Sequence, residues 1–176
     1  ALAGLQAAIT SLPAWHAGEG DQPLHRANMA LAALLSGICL AQAGLGSVHG
    51  LAQPLGSLFP IPHGMVCGTL LAAATRINLQ ALRARSPDSP ALAKYARIGR
   101  LLAKDDTLTD AAAQAALVDG LAHWTASLDQ PPLSRWQVCR EDYPRIIAQS
   151  RGSSMKTNPV VLSDEEVAQI LDARLN

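Results

Sequence analysis

Apolar residues recur at spacings of three and four along almost the whole chain, the period of one face of an α-helix. Leu2, Leu5, Ile9 and Leu12 predict a first helix that stops at Pro13. A polar stretch with Gly18, Gly20 and Pro23 follows. From His25 to about Ala43 the chain is apolar on nearly every side, with Met29, Leu31, Leu34, Leu35, Ile38 and Leu40. A helix of that kind is expected at the centre of a fold, with Met29 to Leu40 as core touched on most sides.

Glycines 44, 46 and 50 bracket a turn before a short helical stretch from about Val48 to Leu55. Pro60 and Pro62 mark the next break, and a long helix is predicted from His63 to about Ala84. Ser89-Pro90 has the form of an N-cap followed by proline at the first helical position, opening a helix to about Lys104. Thr107 or Thr109 opens another that runs to about Leu128. Glu141 to Gln149 predicts a helix with Pro144 in its first turn, and Gly152 to Val161 reads as irregular. Ser163-Asp164-Glu165-Glu166 is a capping box, opening a last helix to Leu175. Seven or eight helices and no strand make the predicted fold class all-α, one helical bundle over residues 1–176.

Composition sharpens this picture. Apolar residues are 49% of the 176, charged residues 16%, and aromatics only 3%. Alanine and leucine carry the apolar share, and both favour helix over strand. Fourteen basic and fourteen acidic residues cancel, so no basic surplus points to nucleic acid or a membrane surface as partner. No run of about 18 uninterrupted apolar residues suggests a membrane span. Cys39, Cys67 and Cys139 are odd in number and widely spaced. They read as small buried hydrophobes in a reducing, cytoplasmic setting, Cys67 included. The chain opens at Ala1 in a helical pattern, which suggests a piece of something longer.

Candidate chemistry is confined to one region. No glycine-rich nucleotide loop, nucleophile elbow or calcium loop is present. His49 and His63 lie in Gly46-Ser47-Val48-His49-Gly50 and Pro60-Ile61-Pro62-His63-Gly64, on separate helices that could converge. Neutral imidazole is the commonest metal ligand in proteins. Gln53 follows His49 by four residues and so shares its helix face. On spacing alone, the pair reads equally as two histidines packing a helix turn. His16 and His25 are expected to face solvent, and His123 to be an ordinary helix histidine. Asp105-Asp106 fits a helix end, as do Arg83 and Arg85.

The segment from Gly46 to Gly64 resembles the signature of the iron-containing (type III, metal-dependent) alcohol dehydrogenases. It carries Gly46, His49, Pro54, Gly56 and Pro62-His63-Gly64, with fourteen residues from one histidine to the other. The likeness extends to Leu34-Leu35-Ser36-Gly37 through Gly46 and to Thr157-Asn158-Pro159 through the last helix, essentially the whole chain.

The resemblance implies the helical C-terminal domain of that fold, related to dehydroquinate synthase. His49 and His63 become two of four ligands to Fe2+ or Zn2+. The other two, an Asp and a His in D-x-x-x-H, have no counterpart before His49. Nor does the N-terminal α/β half that binds NAD(P), the implied partner. The implied reaction interconverts a small alcohol and aldehyde by hydride transfer, in a possible homo-oligomer. Many members place a further histidine where Gln53 stands, near the nicotinamide. The chain alone is expected to be inactive, with its metal absent or only weakly held. A dehydroquinate-synthase-like lyase and a stand-alone helical binding module are the alternatives.

Overall fold

A computed structural model describes all residues, 1–176. It contains nine α-helices and no strand. In chain order they are α1 (Leu2–Ala14), α2 (Pro23–Ala43), α3 (Ser47–Leu58), α4 (His63–Arg85) and α5 (Pro90–Ala103). There follow α6 (Asp110–Ser127), α7 (Tyr143–Ser150), α8 (Ser153–Lys156) and α9 (Asp164–Asp172). Within the span taken above as one helical domain there are two compact units, Ala1–Gly44 and Leu45–Asn176.

Helix starts follow the caps written in the sequence. The Ser89 hydroxyl accepts from the Ala91 N–H, and the Thr109 hydroxyl from the Ala112 N–H. The capping box at Ser163 is complete: Ser163 Oγ accepts from the Glu166 N–H, and Glu166 Oε2 accepts from the Ser163 N–H. Two local readings need correction. Pro13 does not end α1. The helix continues to Ala14 and leaves through a wide turn over Trp15–Glu19, where Gly18, at φ 91°, stops it. A proline in the last turn costs one hydrogen bond, whereas a left-handed residue redirects the chain. The irregular stretch after Gly152 also contains the one-turn helix α8.

In the smaller unit α1 packs against α2. Gly4 lets the two approach, since a Cβ there would lie 3.2 Å from Leu35 Cβ. Ser11, fully buried, receives the Asn28 side-chain amide at 2.9 Å and lies 3.0 Å from His25 Nδ1. His25 is therefore a half-buried hydrogen-bonding residue, not the solvent-facing one expected.

The larger correction concerns α2. None of its residues is buried, and Leu34 and Ile38 are 62% and 53% exposed. Within its unit only one helix packs on it. One neighbour covers one side of an all-round apolar helix, and the others stay open. The core lies instead in the larger unit, where α4 contributes Val66, Leu70, Ile77 and Leu82. Around them are Leu51 and Leu55 from α3, Ile146 from α7, and Val167, Ile170 and Leu171 from α9. By length and composition, α2 and α4 are each long and apolar enough to cross a membrane. The scattered Gly, Ser, Asn and Gln do not lower either helix below that threshold. For α4 the apolar character is explained by its burial as a core helix.

Candidate metal centre

The site is made by the beginnings of α3 and α4. Pro62, in extended conformation, precedes His63, and its carbonyl accepts from the N–H groups of Met65 and Val66. His63 is thereby fixed as the first residue of α4. One and two turns further in, the fully buried Val66 and Leu70 anchor that helix in the core.

The start of α3 is held from the far end of the sequence. The Ser47 N–H donates to Asn158 Oδ1 at 2.9 Å. The Leu45 N–H donates to Thr157 Oγ1, and the Thr157 hydroxyl donates back to the Leu45 carbonyl at 2.7 Å. Asn158 Nδ2 donates to Asn78 Oδ1 at 2.8 Å, while Asn78 Nδ2 reaches Ser47 Oγ and Tyr95 Oη at 3.2 and 3.3 Å. These hydrogen bonds satisfy the polar atoms of the buried Asn78 and Ser47, which would otherwise each cost about 1–3 kcal/mol. They also fix where α3 begins. Gly46 and Gly50 permit the approach. A Cβ at Gly46 would sit 3.0 Å from Asn158 Oδ1, and one at Gly50 would sit 3.0 Å from Met155 Cε.

From these two helix starts the imidazoles converge. The ring centroids of His49 and His63 are 5.3 Å apart, with ring planes at 52°. His49 is half-buried and His63 exposed. Burial, and secondarily the neighbouring His63, push the His49 pKa below its ordinary value, which favours the neutral ring that a metal requires. Gln53 lies one turn along α3 from His49, exposed.

A third residue, Cys67, joins the pair. Its Sγ lies 3.5 Å from His63 Nε2, and one ligand atom from each of His49, His63 and Cys67 falls within 4.8 Å of the others. Cys67 is half-buried, and burial raises its thiol pKa. Counted with the other two cysteines, it reads as structural. The overlooked signal is its position four residues after His63, on the same helix face. His16 and His123 are exposed and stand outside this group. Asp105 caps Thr107 beyond the end of α5, as its helix-end reading implies.

The Fe-containing alcohol dehydrogenase C-terminal family model matches residues 1–175. The chain belongs to that family. It is 30% identical over 148 residues to the 1,3-propanediol dehydrogenase of Citrobacter freundii, covering 82% of this chain and 36% of that protein. With the enzyme of the same name from Klebsiella pneumoniae it shares 31% identity over 150 residues, at the same coverage of each. The fold superposes on the crystal structure of a 1,3-propanediol oxidoreductase with a TM-score of 0.84 at 25% identity. That match covers 97% of this chain and 43% of that one. An archaeal alcohol dehydrogenase from a Red Sea brine pool gives a TM-score of 0.85 at 26% identity, with 98% and 43% covered. The chain thus spans well under half the length of the relatives it matches.

Proposed function

We propose that this chain supplies the helical, metal-binding part of a metal-dependent, NAD(P)-linked alcohol dehydrogenase acting on small alcohols and aldehydes. The observation that carries the reading is the convergence of His49 and His63 from separate helices, in a chain matching the family's C-terminal model over 1–175. The residues present fit a divalent ion: two imidazoles, one of them held toward the neutral form, face each other at the open starts of two anchored helices. His49 and His63 would hold Fe2+ or Zn2+. A divalent ion held there would supply Lewis-acid stabilisation of negative charge on an alcohol oxygen, and NAD(P) would supply the hydride acceptor.

The remaining work falls to the chain's own groups. Asn158, Thr157 and Asn78 keep His49 in register with His63 by fixing the start of α3. Gln53 can donate and accept hydrogen bonds but carries no titratable proton near neutral pH. A proton leaving the alcohol would therefore pass to water or to another group, not to this side chain. An α/β half that binds NAD(P) is the proposed partner. The exposed leucines of α2 fit a surface covered in a longer protein. Three free cysteines suit a reducing, cytoplasmic setting.

The test is NAD(P)-linked oxidation of 1,3-propanediol and 1-propanol by the chain expressed together with its upstream coding sequence. Turnover should fall by orders of magnitude in His63→Ala, and residues 1–176 alone should show none above that control. Equal turnover with and without His63 would remove the metal assignment, and turnover by 1–176 alone would remove the need for a second half.

A further inference from the structure

Cys67 places a third potential ligand atom beside those of His49 and His63. His63 and Cys67 stand at positions i and i+4 of α4, which stacks their side chains on one face, and His49 enters from α3. Zinc bonds of about 2.3 Å to sulfur and about 2.1 Å to nitrogen, at a tetrahedral angle, give a sulfur–nitrogen edge of about 3.6 Å. The observed Cys67 Sγ to His63 Nε2 separation is 3.5 Å. That separation, also within reach of an S–H···N hydrogen bond, matches such an edge. No pair of ligand atoms exceeds 4.8 Å, so a pair at that limit closes by about an ångström to reach its own edge.

We propose that Cys67 is a third metal ligand, and that this chain by itself forms a His2Cys site with one open position, selective for zinc over ferrous iron. The inference rests on the reading of His49 and His63 as ligands and adds to it the sulfur. A thiolate is a soft donor, and with two imidazoles it suits a tetrahedral zinc ion far better than a hard, oxygen-seeking one. Three protein ligands and one free position are also the pattern by which zinc sites stay open to water or substrate. Coordination breaks the Cys67 S–H bond and forms the sulfur–metal bond. The proton goes to solvent, and no group is oxidised or reduced. Cys39 and Cys139 are outside the cluster and take no part.

Cobalt(II), which takes the same ligands and is coloured, is the probe. Titrated alone into the reduced chain, it should saturate at one equivalent, with the visible bands of a four-coordinate ion and a near-ultraviolet thiolate-to-cobalt charge-transfer band. Zinc should displace it. Cys67→Ser should abolish the charge-transfer band and weaken binding by at least about 10–100-fold, the loss typical even for a residue that only supports a ligand. Cys39→Ser and Cys139→Ser should change neither. His63→Ala should remove both sets of bands. Binding that depends on His49 and His63 but shows no charge-transfer band, with affinity unchanged in Cys67→Ser, would overturn the role of Cys67 and leave the histidine pair standing. Cobalt uptake indifferent to all three residues would overturn both.

Discussion

The two compact units use similar apolar helices to opposite effect. In Leu45–Asn176, the 23-residue α4 packs chiefly against α3, α6 and α9, and its Leu70 and Leu82 are wholly removed from water. In Ala1–Gly44, the 21-residue α2 is comparably apolar and buries no residue. The contrast separates two properties that hydropathy merges. An apolar pattern states how much surface would gain from leaving water, at roughly 25 cal/mol per Å2. It does not state how many neighbours are there to remove it.

The largest effect available to break this comparison is a buried charge. Leu70→Asp places an unpaired carboxylate where no solvent reaches, at a cost of several kcal/mol against a total stability of about 5–15 kcal/mol. Urea unfolding followed by circular dichroism should show the larger unit lost or nearly so. Leu34→Asp, on the open side of α2, should stay within about 0.5 kcal/mol of the parent. Equal losses for both would mean that α2 is a core helix after all.

Glycines sharpen the contrast at smaller scale. A Cβ on Gly99 of α5 would lie 1.8 Å from the backbone carbonyl oxygen of Ala113 on α6, so Gly99→Ala must push two helices apart. We expect a loss of about 1–3 kcal/mol or more. Gly37 of α2 meets nothing within 4 Å. There, Gly37→Ala should stabilise by about 0.5–1 kcal/mol, through reduced freedom of the unfolded chain and better helix propensity. Opposite signs in the two urea midpoints are the expected readout.

The smallest effect is electrostatic and belongs to the larger unit. Arg85 pairs with Glu166 at 2.7 Å, and its hydrogen bonding holds the Glu166 carboxyl below the usual carboxylate range. A carboxyl that ionises at lower pH in the folded than in the unfolded state stabilises the fold fully above its unfolded value, about 4.3. That contribution fades as pH falls through the lower folded value. Glu166→Gln keeps the capping geometry but removes this dependence. The difference in stability between parent and variant should therefore shrink as pH drops below about 4.3, measured by urea midpoints across that range.

How legible the fold was depended on the range of the interaction. Ser89, Thr109 and Ser163 signal helix starts because a cap is satisfied within three residues of itself. The fourteen residues between His49 and His63 fit two packing histidines equally well, and it is the likeness of Gly46 to Gly64 to the family motif that points to their convergence. Asn78 and Asn158 are 80 residues apart, and nothing local marks an asparagine as one half of a buried amide pair. The position of α2 was misread because its burial depends on neighbours, which its own sequence does not contain. For Cys67, the number and pairing of cysteines say nothing, whereas its distance from His63 along one helix does.

On the proposed reading, the starts of α3 and α4 hold a metal through His49, His63 and Cys67. X-ray absorption at the zinc edge, on the chain loaded with one equivalent of Zn2+, tests it most directly. The expected spectrum shows imidazole nitrogen from two histidines together with one sulfur at about 2.3 Å, the sulfur lost in Cys67→Ser and the imidazole signal lost in His49→Ala and His63→Ala. A shell of oxygen alone, unchanged by all three substitutions, would contradict it.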